Sequence, residues 1–102
     1  MHVISQTALA EFWNVHPDAQ APLRVWYKRV EKTNFTNLVE LQQVFPSADL
    51  VGNFVVFNIG GNKYRLIAYV DFDFQKVFIR YVLTHAEYDK EKWKRNDRWF
   101  KR

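Results

Sequence analysis

The sequence predicts an α+β fold: an antiparallel meander sheet with two to three N-terminal helices packed on one of its faces. Three observations predict it. Apolar residues recur at helical spacing through the first half of the chain, at Leu9, Phe12 and Trp13 and again at Leu23, Trp26, Tyr27 and Val30. From Phe54 onward the period changes to two. Between two of the alternating runs stands Gly60-Gly61-Asn62, a tight-turn signal, because Gly and Asn adopt positive φ at little cost.

Taken in order, His2-Val3-Ile4 is short and β-branched and reads as a first strand, paired at an edge of the meander. Thr7 is placed to cap a helix starting at Ala8. Pro17 closes that helix beside His16, or opens the next. Asp18 is placed to cap a second helix from Ala19 to about Lys32. Its cations Arg24, Lys28, Arg29 and Lys32 lie mostly off the apolar stripe, as a solvated helix face or as a docking surface for RNA backbone. Asn37 and Glu40 have capping-box spacing, and a short helix runs from there to Val44, ended by Pro46. Phe45 to Asn53 reads as a loop. Three strands follow, Phe54 to Ile59, Tyr64 to Phe72 and Val77 to Thr84, with a turn from Asp71 to Gln75. From Ala86 the chain is rich in Lys, Arg and Trp and suits a short helix that frays.

The 102 residues suffice for one compact domain, residues 1–102. A chain that is 48% hydrophobic and 18% aromatic supports a core and is not mostly disordered. Its formal net charge of +4 favours acidic partners, nucleic acid first. The absence of cysteine excludes disulfides and Cys-type zinc sites and fits a reducing cytoplasm. The sequence has no apolar run long enough for a membrane span, and the first residues lack a signal-peptide layout.

Side chains alternate across a strand. Tyr64, Leu66, Ala68 and Val70 form one face of the second meander strand, apolar enough to meet the helices. Lys63, Arg65, Ile67 and Tyr69 form the other. In the third strand Val77, Ile79, Tyr81 and Leu83 suit the core, and Phe78, Arg80, Val82 and Thr84 oppose them. By parity, Arg65 and Arg80 project from one helix-free face, with Tyr69 and Phe78 beside them. Guanidinium groups pair bidentately with phosphate oxygens and aromatic rings stack on bases, so this face suits single-stranded RNA. The structural alternative pairs each arginine with a carboxylate such as Asp71 or Glu87.

His85 and Tyr88 follow the strand that carries Arg80. RNA cleavage by side chains needs one group to activate the ribose 2′-hydroxyl and another to protonate the leaving 5′-oxygen. It also needs cations on the phosphate between them. His85, Tyr88, Arg65 and Arg80 offer each of those chemistries; a hydrogen-bonded structural contact is the alternative for His85 and Tyr88. A metal site is not expected, since His2, His16 and His85 lie far apart in sequence. Gly60-Gly61 joins two strands and does not open a helix, so it is a turn and not a phosphate cradle. Trp93 and Trp99 in the basic tail either cover the sheet edge or belong to a partner interface.

The stretches Val56-Phe57-Asn58-Ile59-Gly60-Gly61-Asn62-Lys63-Tyr64-Arg65-Leu66-Ile67-Ala68 and Phe78-Ile79-Arg80-Tyr81-Val82-Leu83-Thr84-His85-Ala86-Glu87-Tyr88-Asp89 resemble the HigB family of toxins, within the wider RelE-like group of type II toxin–antitoxin systems. The resemblance extends across nearly the whole chain. The two quoted motifs are specific, and the helical half is compatible with the family. The resemblance implies a RelE-like fold related to microbial ribonucleases. It implies a cytoplasmic toxin that cleaves mRNA, commonly in the ribosomal A site, with no metal and no cofactor. It implies neutralisation by a cognate HigA-like helix-turn-helix antitoxin, with operator DNA reached only through the joint complex. The catalytic roles of the group fall here on Arg65, on Arg80 or His85, and on Tyr88, and Lys63 is a further candidate for phosphate contact. Some RelE-like toxins depend instead on a glutamate or several lysines. Glu87 lies beside the key residues, but a helix starting there turns it away.

Two other classes compete. A non-catalytic RNA- or ribosome-binding module would use the same basic and aromatic face without needing His85 and Tyr88. A DNA-binding regulator would need a recognition helix, and the sequence carries no such pattern.

Overall fold

The computed structural model describes residues 1–91 and Trp93. Its elements run β1 (His2–Ile4), α1 (Thr7–Val15), a 3₁₀ turn (Pro17–Ala19), α2 (Gln20–Lys32), α3 (Leu38–Val44), β2 (Asp49–Val51), β3 (Phe54–Ile59), β4 (Tyr64–Asp71), β5 (Lys76–Thr84) and α4 (His85–Asp89). The five strands form one mixed sheet in the order β1-β5-β4-β3-β2. β2 to β5 pair antiparallel as a meander, and β1 adds at the edge, parallel to β5. The expected α+β architecture is present.

Helix-face positions of the sheet follow from the register. Val55, Phe57 and Ile59 of β3 align with Ala68, Leu66 and Tyr64 of β4, and all six are buried against the helices. Leu23, Trp26 and Val30 from α2 pack on this layer, as the stripe at i, i+3 and i+7 requires. The edge of Trp26 meets the Phe57 ring at 5.4 Å and 74°, and Phe45 meets it at 5.2 Å and 81°. Leu23 is fully buried, so Leu23→Ala costs about 2–5 kcal/mol of stability, read as a lowered urea midpoint with the slope unchanged.

Several local expectations are met and several are not. Asn37 caps α3, its Oδ1 accepting from the Glu40 amide at 2.9 Å. Glu40 returns the bond one residue early, to the Thr36 amide at 2.8 Å. Thr7 does not cap α1: the helix starts at Thr7 itself, after Gln6. Asp18 does not cap α2 either. That helix starts at Gln20 after the 3₁₀ turn, and the Asp18 carboxylate is drawn off to Lys63 and Tyr64. The segment expected as a loop contains β2, folded back on β3 through Gly52-Asn53, with Gly52 at φ +62°. Its strand is three residues long, too short to display a period of two.

The largest correction concerns β5. Ile67 pairs with Tyr81, but the next residue, Ala68, pairs with Ile79. Arg80 is therefore the extra residue of a β-bulge, and the alternation restarts beyond it. Tyr81 and Leu83, expected on the helix face, lie on the opposite face with Ile67 and Arg65. Val82, expected opposite the helices, packs against their core. The helix-free face is also less open than expected. Trp93, 5% exposed, packs there with Phe54, Val56 and Ile67 as a second small core, bordered by Tyr69, Tyr81, Leu83 and Tyr88.

Candidate active site

Arg65 lies on the helix-free face of β4, next to Asn58 on one side and Leu83 on the other. Buried charge is costly unless it is hydrogen-bonded. Arg65 is 9% exposed, and its acceptors come from the turn rather than from a carboxylate. Nη1 donates to the carbonyls of Asn62 and Tyr64 at 3.2 and 3.1 Å, and Nη2 donates to Asn62 Oδ1 at 3.2 Å. A guanidinium has five N–H donors, so these bonds leave Nε–H and one Nη2–H uncommitted among the described residues. Gly60 and Gly61, at φ +62° and +68°, turn the chain so that Asn62 faces back onto the arginine.

The Arg65 guanidinium stands over the Tyr88 ring, 5.5 Å from its centroid. Tyr88 sits on α4, which starts with a capping box: Thr84 Oγ1 accepts from the Glu87 amide, and Glu87 Oε1 accepts from the Thr84 amide. The His85 amide donates to the Lys63 carbonyl at 3.0 Å, which ties the start of α4 to the hairpin turn. His85 and Tyr88 are three residues apart and share one side of that helix. His85 Nδ1 lies 2.9 Å from Asp89 Oδ2, both side chains being about half exposed or more. With Nδ1 directed at Asp89, Nε2 is the nitrogen left to exchange a proton.

Arg80 stands elsewhere. The bulge turns it into a groove between β5 and α1, lined by Phe12, Val15 and His16 on one wall and Arg80, Val82 and Glu87 on the other. Glu87 joins this rim, its Oε1 engaged by the capping box. The same end of the molecule holds an aromatic cluster in which Tyr64 packs on Phe12 and His16 at 5.2 and 5.6 Å.

Lys63 forms an exposed ion pair with Asp18 at 3.0 Å, and the Tyr64 hydroxyl donates to the other Asp18 oxygen. The Tyr64 hydroxyl first, and Lys63 second, hold the Asp18 carboxyl below the usual range. The same bond raises Tyr64. A depressed carboxylate contributes stability that is present above its unfolded value, near pH 4, and is lost as pH falls through the folded value. The melting-temperature difference between the wild type and Asp18→Asn is accordingly expected to be constant at pH 5–8 and to shrink on acidification below about pH 4.

Two comparisons bear on this arrangement. The family model described as HigB_toxin, the RelE-like toxic component of a toxin–antitoxin system, matches residues 19–91. The chain belongs to the HigB toxin family. The "mRNA interferase toxin HigB" of Escherichia coli K12 is 39% identical over 92 residues, covering 87% of this chain and 88% of that protein. The "mRNA interferase HigB" of Escherichia coli CFT073 is 32% identical over 93 residues, covering 88% and 90%. The protein from Shigella flexneri bearing the same name is 39% identical over 92 residues.

In this HigB family member the structure brings Arg65, Tyr88 and His85 to one end of the sheet. It separates Arg80 from Arg65 by the bulge, whereas parity put them on one face. Tyr69 and Phe78 pair with ring centroids 6.1 Å apart, four residues along β4 from Arg65, or roughly 13 Å. Lys63 faces Asp18. Sequence reading missed the parts played by Asn62 and Trp93. Asn62 was visible only as a turn residue. Trp93, expected at a sheet edge or a partner interface, instead covers the helix-free face; Trp99 lies outside the described residues. Among the described residues no group of three or more His, Asp or Glu side chains is placed to hold a metal ion. No helix among them is long and apolar enough to cross a membrane.

Proposed function

We propose that this toxin is an endoribonuclease that cleaves mRNA on the translating ribosome, in the cytoplasm, and so arrests translation and growth. The observation that carries the reading is the Arg65 guanidinium 5.5 Å over the Tyr88 ring, with His85 on the same short helix. A fixed cation beside a phenol, with an imidazole three residues away on the same helix, supports a site for phosphate chemistry. The names of the relatives, mRNA interferases, support the same substrate.

In the reaction, one of His85 and Tyr88 takes the proton of a ribose 2′-hydroxyl as its oxygen attacks the adjacent phosphorus. The bond from phosphorus to the 5′-oxygen breaks, and the other group protonates that leaving oxygen. The products are a 2′,3′-cyclic phosphate and a 5′-hydroxyl. Arg65 stabilises the charge that builds on the phosphate oxygens, and Arg80, in the groove beside α1, holds the RNA backbone. Base, acid and charge stabiliser are all supplied by side chains, so the mechanism calls for no metal or cofactor. Lys63, once released from Asp18, contacts backbone phosphate, and Tyr69 and Phe78 stack on bases. Residues 1–102 act as one toxin domain. A HigA-like helix-turn-helix antitoxin neutralises it, and operator DNA is reached only through that complex.

Mapping RNA 5′ ends after induction tests the proposal. New ends within translated codons are expected, and Tyr88→Ala is expected to remove both the ends and the growth arrest while the protein stays folded. Growth arrest with ribosomes engaged and no new ends would instead mark a non-catalytic ribosome-binding module.

A further inference from the structure

The Tyr88 ring is contacted by Trp93 as well as by Arg65. After α4 the chain reverses at Glu91, which adopts a left-handed φ of 57°, with its amide on the Tyr88 carbonyl at 3.0 Å. This reversal returns Trp93 to the sheet, where it is 5% exposed against Phe54, Val56 and Ile67. The indole stacks on the Tyr88 ring at 5.3 Å and 18°, and its Nε1 donates to the Tyr88 carbonyl at 3.2 Å. The Tyr88 ring is thus held by the Arg65 guanidinium and the Trp93 indole together.

A five-residue helix cannot hold a side chain in place by its own hydrogen bonds. Its position is set by what it packs on. Trp93 grips Tyr88 twice, by its ring and by its backbone, and is itself anchored in an apolar pocket. A residue that merely filled that pocket would need neither grip.

We propose that Trp93 is a positioning residue: it fixes the Tyr88 ring beneath the Arg65 guanidinium, so that phenol and cation meet the same phosphate. The proposal rests on the reading of Arg65 and Tyr88 given above. It is tested in the full-length chain with Trp93→Phe, Trp93→Ala and Tyr88→Phe, each checked for folding by circular dichroism.

One arm needs no activity. The ring protons of Tyr88 carry a ring-current shift from the indole, read by NMR. That shift is expected to vanish in Trp93→Ala and to persist in part in Trp93→Phe. The other arm is mRNA cleavage on programmed ribosomes. In Trp93→Ala, kcat is expected to fall about tenfold to a hundredfold with KM unchanged, and Trp93→Phe to recover most of the loss. In a Tyr88→Phe background the Trp93→Ala change is expected to cost little more, since both act through one phenol. An undiminished Tyr88 ring-current shift in Trp93→Ala overturns the proposal, as does an equal kcat loss in both Tyr88 backgrounds. A wild-type chain that cleaves no mRNA overturns the nuclease reading alone, and the NMR arm then decides the positioning of Tyr88 by itself.

Discussion

Arg65→Lys is expected to lower mRNA cleavage about a hundredfold to a thousandfold, the loss seen when one fixed donor to a developing charge is removed. The reason lies in the geometry around the guanidinium. Three of its donors are taken by Asn62 and the Tyr64 carbonyl, which fixes the plane of the group. The remaining two then bind an anion at little further cost in side-chain freedom. Lysine keeps the charge but is a point donor on a flexible stem, and it cannot satisfy the turn and the phosphate together. Melting temperature and toxicity in growing cells separate the outcomes. A folded variant with undiminished cleavage would remove Arg65 from the mechanism.

His85→Gln is expected to cost about a hundredfold to ten-thousandfold in cleavage rate, the usual worth of a positioned proton-transfer group. Glutamine is similar in reach but cannot exchange a proton near neutral pH. Asp89→Asn is expected to have a smaller effect, since it changes only the partner 2.9 Å from Nδ1. The side chain of His85 is exposed, so the variant should fold and melt like the wild type. Single-turnover cleavage rates measured at one fixed pH provide the check. If His85→Gln cleaves as fast as the wild type, Tyr88 and Arg65 carry the reaction without it.

Much of this architecture was legible beforehand. Helices announce themselves by spacing and the meander by alternation, because both patterns report one buried face over many residues. The Gly60-Gly61-Asn62 turn was equally plain, since positive φ restricts the choice of residue. What escaped depends on distance or on surplus. Asp18 forms its contacts with Lys63 and Tyr64, more than forty positions away, and no local rule anticipates that. The return of Trp93 depends on Glu91 adopting a left-handed φ, where neither Gly nor Asn marks the spot. The bulge is hidden because Phe78 to Leu83 is apolar on both sides of Arg80, so either phase of the alternation reads equally well. Parity thus placed Arg65 correctly and could not foresee the bulge at Arg80.

That surplus residue can be put another way. Deleting Arg80 from β5 would leave Ile79 and Val82 facing the helices, and Tyr81 and Leu83 facing away, as they do now. The ladder would become regular, and the sheet would lose no buried side chain. β5 thus carries one residue more than its ladder with β4 uses, and that residue lines the groove beside α1.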